Sequence, residues 1–299
     1  MDVNTVEVSK VNKSFKGVKV VNDISFNVER GEILGMVGPN GAGKTTTIRM
    51  LMDIIKPDAG EIKVLGRPLN EEAKNRIGYL PEERGLYRKI TVSQSLAYLA
   101  ALKNMDTVRA QERAAALLER VGMAQHKGKK TEELSRGMGQ IVQFIATILH
   151  DPELVVLDEP FSGLDPVNTE LLKELVSELR TQGKSIILSS HVMNQVEELC
   201  DRVLMIHKGE AVLYGRLTDI KARYRNNSVF LECDRFEEAP RGVVGSKNHG
   251  RYVELFLDSQ VLPQEILSAL VEKGITIHRF EVSTPSLNEI FIQVVKERQ

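Results

Sequence analysis

Only two cysteines, Cys200 and Cys233, occur in 299 residues. They are too few and too far apart for a disulfide framework or a zinc site, which suits a chain kept in a reducing, cytoplasmic compartment. No apolar run approaches the roughly 20 residues that cross a bilayer. The N-terminal MDVNTVEVSK has no basic segment followed by an apolar stretch, so it does not read as a secretory leader. Any membrane role is therefore expected to come through a partner. An excess of one charge is missing as well: 40 Lys and Arg against 41 Asp and Glu leave −1, without the global footprint of a nucleic-acid-binding protein. The densest basic run, HKGKK at 126–130, lies between expected helices and reads as a solvated loop. What is present is an ordinary globular composition, 42% apolar and 27% charged, enough for one large domain or two.

The first informative segment follows a strand pattern. Residues 3–28 alternate in short β-like stretches, and GEILGMVG then reads as a strand buried on both faces. GPNGAGKT, Gly38 to Thr45, comes straight after it, fits G-x-x-x-x-G-K-[ST], and opens the helical run TTTIRMLMDII. The chemistry of phosphate binding asks for these residues. Gly38, Gly41 and Gly43 let backbone N–H groups wrap a phosphate, with Pro39, Asn40, Ala42 and Thr46 completing the loop. Lys44 brings a point charge to the β- and γ-phosphates, and the Thr45 hydroxyl can ligate Mg²⁺. A metal-bound nucleoside triphosphate is implied. A glycine-rich turn with no ligand would not explain lysine and threonine at the helix start.

Two further segments are expected at the same edge of a parallel sheet. LVVLDEP, Leu154 to Pro160, is an apolar run ending in two acids. Asp158 would hold Mg²⁺ through water, and Glu159 would polarise a water for in-line attack on the γ-phosphate. SIILSSH, Ser185 to His191, is another buried-strand pattern, and its His191 is expected to contact the γ-phosphate. Residues 88–150 between them read as helical. TVSQ at 91–94 is a capping box, a second helix is stopped by Gly122, and a third begins at LSRGMGQ, residues 134–140. Ser135 alone would cap that third helix. Two glycines in its first turn, Gly137 and Gly139, each cost roughly 1 kcal/mol against alanine, which makes sense if an anion approaches the backbone amides closely.

In this order and spacing, GPNGAGKTT, IGYLPEE, LSRGMGQ, LVVLDEP, SGLDP and SSH resemble the nucleotide-binding domain of an ABC transporter over residues 4–220. The resemblance implies a P-loop NTPase fold of α/β class, with an antiparallel β-subdomain and an inserted helical subdomain. It implies ATP hydrolysis at a dimer interface, in which Ser135 and Gly137 contact the γ-phosphate held by a second subunit. It also implies that Phe15 stacks on adenine and that Asp165 in SGLDP links the two sites across the dimer. Two departures stand out. The signature commonly reads LSGGQ, whereas this chain has Arg136 and Met138 and a displaced Gln140. Glu82, in LPEERGLY, replaces the usual glutamine that touches Mg²⁺ and relays nucleotide state to the membrane subunit. A carboxylate can still ligate Mg²⁺ but donates no hydrogen bond when ionised.

Beyond an expected ABC domain at 1–225, residues 226–299 change character. Three strand patterns and two helix patterns suggest a small α+β accessory domain without a catalytic constellation. It resembles the C-terminal extension of a bacterial subgroup of these ATPases that includes sodium and drug exporters. The reading is an exporter's ATP-hydrolysing subunit. Its expected partners are a second copy of itself and an integral membrane permease, which holds it on the cytoplasmic face of the plasma membrane, with no nucleic acid expected. The alternative is a soluble ABC ATPase acting on nucleic acid or ribosomes. Such a chain usually carries a long coiled-coil insertion or two tandem cassettes, and neither pattern is present here.

Overall fold

A computed structural model describes residues 4–83, 85–225, 227–234 and 239–298. Arg84, inside LPEERGLY, and residue 226, the expected start of the tail, lie outside the described residues. The chain divides into two compact units, 1–217 with 294–299, and 218–293.

In the first unit the alternating N-terminal stretches form β1 (Asn4–Phe15) and β2 (Val18–Glu29), which join β4 (Ala59–Val64) in an antiparallel sheet ordered β2-β1-β4. The continuous apolar runs become central strands: β3 (Ile33–Val37), β6 (Leu154–Asp158) and β7 (Ser185–Ser190) are buried at every residue. With β5 (Ile77–Leu80), β8 (Arg202–His207) and β9 (Glu210–Arg216) they make a six-stranded sheet ordered β5-β6-β7-β3-β8-β9. All its neighbours are parallel except the β8–β9 hairpin. The two sheets share one core, in which Val6, Val8, Ile24 and Phe26 cluster with Leu34, Met36, Leu204 and Ile206. Because β3, β6 and β7 have neighbours on both sides and both faces covered, none of them shows a polar face.

The helices of this unit are α1 (Lys44–Leu51), α2 (Glu71–Lys74), α3 (Val92–Ala101), α4 (Thr107–Arg120), α5 (Arg136–Ile148), α6 (Pro166–Thr181) and α7 (Met193–Leu199). The expected capping box is present: Thr91 Oγ1 accepts from Gln94 N–H, and Gln94 Oε1 accepts from Thr91 N–H. Gly122 ends the segment after α4 at φ 66°. In α5, Ile141, Val142, Ile145 and Ile148 are buried, and so are Gln140, Gln143 and Thr147. Short 3₁₀ turns at Ala124–His126 and Thr131–Glu133 flank the basic run.

The helix α8 (Leu217–Arg223) leads into the second unit. There β10 (Ser228–Cys233), β11 (Val243–Asn248), β12 (Val253–Leu257) and β13 (Ile277–Val282) form an antiparallel sheet ordered β11-β12-β10-β13. One face packs Val229, Leu231, Leu255 and Leu257 with Ile266 and Leu270 of α9 (Pro263–Glu272). The final helix is α10 (Leu287–Glu297). Strand β11 is an edge strand, and the glycines at 242 and 245 give it no apolar alternation to read in the sequence. No described helix is long and apolar enough to cross a membrane.

Just past α5, His150 Nε2 lies 3.1 Å from the Ile77 carbonyl. Burial, reinforced by the Lys103 charge, pushes its pKa from 6.5 down to about 4. Between those values the unfolded chain binds a proton that the folded chain refuses, so stability falls as the pH is lowered through that window. His150 is expected to account for up to about 3 kcal/mol of the fall. Urea unfolding at pH 7 and pH 5 captures about 2 kcal/mol of it, and His150→Gln, which can still donate to Ile77, should flatten this part of the profile.

Candidate nucleotide and metal site

Parallel register decides which side chains meet. Val37 pairs with Ser190, Asp158 with Ser189 and Leu80 with Leu157. The segments leaving β3, β5, β6 and β7 therefore emerge at one edge of the sheet. The loop after β3 turns back immediately into α1, and its glycines are structurally required. A Cβ at Gly38 (φ 155°) would stand 2.1 Å from the Ile206 carbonyl oxygen, and one at Gly43 (φ 110°) 2.8 Å from that of Val20. Residues 40–46 line a cavity of about 380 Å³ together with Val20, Glu82 and Glu159.

In this cavity Lys44 faces two carboxylates, Glu82 and Glu159. Lys44, almost fully buried, donates from Nζ to the Gly38 carbonyl at 2.8 Å and lies 3.4 Å from Glu159 Oε1. Glu159 takes a left-handed φ of 51°, a backbone conformation that a side-chain-bearing residue adopts at a cost and that recurs at functional turns. Its Oε2 lies 2.8 Å from His191 Nδ1. Asp158 is completely buried, and its Oδ1 accepts from Ser189 Oγ at 2.5 Å and from Thr45 Oγ1 at 3.3 Å. Its Oδ2 has no hydrogen-bond partner among the described residues. Burial holds the Asp158 pKa above the usual carboxylate range, the Ser189 and Thr45 hydroxyls pull it down, and the nearby Glu82 and Glu159 charges push it up.

These oxygens suit a magnesium ion better than a softer one. Among the described residues no group of three or more His, Cys, Asp or Glu side chains can hold a metal alone. Thr45, Asp158 and Glu82 offer hard oxygen donors beside the phosphate loop, and Asp158 Oδ2, unpartnered among the described residues, fits a cation's needs. Mg²⁺ is commonly bound by one or two carboxylates with water and phosphate oxygens supplying the rest.

The remaining expected residues lie elsewhere. Ser135 caps α5, its Oγ accepting from Met138 N–H at 3.2 Å, and it is exposed. A Cβ at Gly139 would enter open space and one at Gly137 would meet Leu164 and Asn168 at ordinary distances. Nothing in the described chain thus requires either glycine sterically. Asp165 caps α6 by accepting from Asn168 N–H at 3.0 Å, next to Gly137. Phe15 ends β1 with 46% of its surface exposed and the Lys13 ammonium 5.7 Å from its ring centre. None of Ser135, Gly137, Gly139, Asp165 and Phe15 lines the cavity of Lys44.

Three participants escaped the sequence reading. Ser189 bridges both acids, donating to Asp158 and accepting from Glu159 N–H at 3.0 Å. Gln140 donates to the Pro160 carbonyl at 3.0 Å, and Gln143 binds both sides of the loop that follows Glu82, through the Glu83 carbonyl and the Gly85 N–H. The available signal was polarity in the wrong place: a serine inside a buried strand, and two glutamines on the buried face of an apolar helix.

Comparison with known proteins agrees with this geometry. Residues 21–162 match the ABC transporter family model, and residues 215–295 match that of the C-terminal domain of DrrA1-3-like ATP-binding proteins. An uncharacterized ABC transporter ATP-binding protein of Bacillus subtilis, YhaQ, is 43% identical over 291 residues, covering 96% of this chain and 97% of that protein. The chain belongs to the ABC transporter ATP-binding proteins. It is 32% identical to the linearmycin resistance ATP-binding protein LnrL of the same organism, over 97% of both chains. Among solved structures, an ATP-binding subunit of an ABC transporter superposes with a TM-score of 0.69 at 30% identity, covering 74% of this chain and 93% of that one. The ABC fold, ATP binding and ATPase activity follow from that membership.

The two glycine environments separate what the fold requires from what it leaves open. Gly38→Ala is expected to weaken binding of a fluorescent ATP analogue by at least about tenfold, because the Ile206 backbone or the loop must shift. Gly139→Ala should leave the same measurement on the isolated chain unchanged.

Proposed function

We propose that this chain is the energy-supplying subunit of an exporter, acting as a pair of identical chains docked on a separate membrane permease at the cytoplasmic face. The observation that carries the reading is the separation of two anion-seeking sites. Lys44, Thr45, Asp158, Glu159 and His191 gather at one sheet edge, while the exposed turn at Ser135 lies outside their cavity. Two copies facing each other in an isologous arrangement complete both sites.

Within each site Lys44 and the amides of the loop hold the β- and γ-phosphates, and Phe15 stacks on the adenine. Thr45 and Asp158, with Glu82 on the same side, would hold Mg²⁺, which would supply charge neutralisation at the phosphates. Glu159 accepts a proton from the attacking water as its oxygen bonds to the γ-phosphorus and the bond to the ADP oxygen breaks. His191 holds the Glu159 carboxylate in place and reaches toward the γ-phosphate, while Ser189 fixes the strand end from which both acids project. Ser135 and Gly137 of the partner close over the γ-phosphate, and Asp165 beside them links the two sites. Hydrolysis removes the group that both chains bind, which releases the pair. Similarity to a resistance protein and to the DrrA-like C-terminal family supports export. The tail, taken as an accessory domain, supports or regulates the pair.

With Mg-ATP, Glu159→Gln protein is expected to hydrolyse at least about 10²-fold more slowly than the unaltered chain and to double its mass by light scattering. Adding Ser135→Arg should abolish the doubling. A Glu159→Gln protein of normal activity would remove Glu159 from the role of base. Glu82→Gln should keep ATP binding while changing the stimulation of ATPase by the permease. Unchanged stimulation would show that residue 82 does not carry the coupling.

A further inference from the structure

The basic run left aside as a solvated loop is not solitary in the fold. Within 88–150 there are ten lysines and arginines against five aspartates and glutamates, although the whole chain carries −1. Backbone pairing then concentrates part of that excess. The Val92 and Ser93 N–H groups donate to the carbonyls of Lys129 and Lys127 at 3.0 Å, and Thr131 and Glu132 N–H donate to Ile90 and Arg88 at 3.1 and 3.2 Å. These bonds lay 127–132 against 88–93, so that Arg88, Lys89, Lys127, Lys129 and Lys130 share one exposed surface. None of the five has an ion pair among the described residues. The adjacent acids are Glu132 and Glu133, and Glu133 is occupied in accepting the Lys130 N–H at 2.7 Å.

An apolar and aromatic rim adjoins these cations. Tyr87, whose carbonyl accepts from Thr131 Oγ1, meets Tyr98 edge to face with ring centres 5.2 Å apart. Both rings are about half exposed, and Leu102, one helical turn beyond Tyr98, is 58% exposed. We propose that this surface docks on anionic phospholipid headgroups, with the tyrosine edge at the water–hydrocarbon boundary and the five cations over the phosphates. Clusters of four to eight basic side chains bind acidic leaflets electrostatically, and tyrosine favours the interfacial layer. Nucleic acid fits less well, since the two rings are engaged with each other and a half-exposed leucine beside them has no role on a phosphate backbone.

The surface would orient the helical block toward the bilayer whether or not a permease is present. The test therefore needs no permease and does not depend on the exporter reading. Full-length protein is sedimented with vesicles of phosphatidylcholine alone, or with about 30% phosphatidylglycerol, at low and at high salt. Selective, salt-sensitive binding to the acidic vesicles is expected. Lys127→Gln, Lys129→Gln and Lys130→Gln together should lower the partition coefficient at least about tenfold, and Arg88→Gln with Lys89→Gln should act in the same direction. Lys10→Gln, Lys16→Gln and Lys19→Gln, on the β1–β2 hairpin, control for net charge and should change it far less. Unchanged melting and ATP binding establish that each variant is folded. Equal binding to both vesicle types, or equal losses in the loop and hairpin variants, would overturn the proposal. So would preferential binding of a short RNA that depends on the same lysines.

Discussion

Two neighbouring carboxylates buried at the end of one strand set the terms for the rest of the site. Removing an ion from water costs several kcal/mol unless it is compensated, and Asp158 and Glu159 are both nearly inaccessible. The compensation comes from three kinds of group: the Lys44 ammonium at the start of α1, the Thr45 and Ser189 hydroxyls, and His191. They come from two places, the start of α1 after β3 and the end of β7, so the parallel register of β3, β6 and β7 must be right before the acids can be tolerated. The turn at Glu159 sharpens this dependence. Its left-handed backbone swings the carboxylate toward Lys44 and is fastened by the Ser189 side chain, which accepts the Glu159 N–H while holding Asp158.

The same arrangement explains how helix α5 can sense the site without lining it. Gln140 holds the carbonyl of Pro160, directly after the two acids, and Gln143, one turn on, holds the loop that follows Glu82. A rigid helix that begins at Ser135 is thus tied at one end of the site to the strand carrying Asp158 and at the other to the segment after β5. In the proposed mechanism, closure of a partner's phosphate on the Ser135 turn would displace both ties together. Burying two amides in an apolar helix face costs stability unless each is bonded, and both find backbone partners here.

What could be read from the sequence followed from how local the physics was. The phosphate loop was legible because its glycines are demanded by nearby backbone, at Ile206 and Val20, and its lysine and threonine by chemistry. The buried strands were legible because sandwiching removes alternation. Edge strand β11 was not, since solvent on its open side places no pattern on residues 243–248. Ser189, Gln140 and Gln143 were missed because their partners lie 20 to 60 residues away in sequence and exist only once the sheet has formed. Phe15 and Asp165 illustrate the opposite limit. One chain shows Phe15 exposed and Asp165 serving as a helix cap, and a role that depends on a second molecule leaves no mark on the first.

Net charge gave an instructive half-truth. A sum of −1 speaks against a protein-wide field, yet a sum carries no information on placement, and screening confines surface electrostatics to about 10 Å in any case. Over that distance what matters is which charges the fold makes neighbours. Most basic side chains elsewhere in the first unit have acidic partners, as Arg76 has Glu153, Arg120 has Glu178 and Arg180 has Asp201. The loop at 126–130 differs because the chain segment brought alongside it, 88–93, adds two more cations and no acid. A single solvated lysine costs little at a surface, but five cations with only Glu132 and Glu133 beside them repel one another. Their juxtaposition by six backbone and side-chain hydrogen bonds, two of them to the Lys127 carbonyl, is therefore held against electrostatic cost by the same contacts that fix the start of α3.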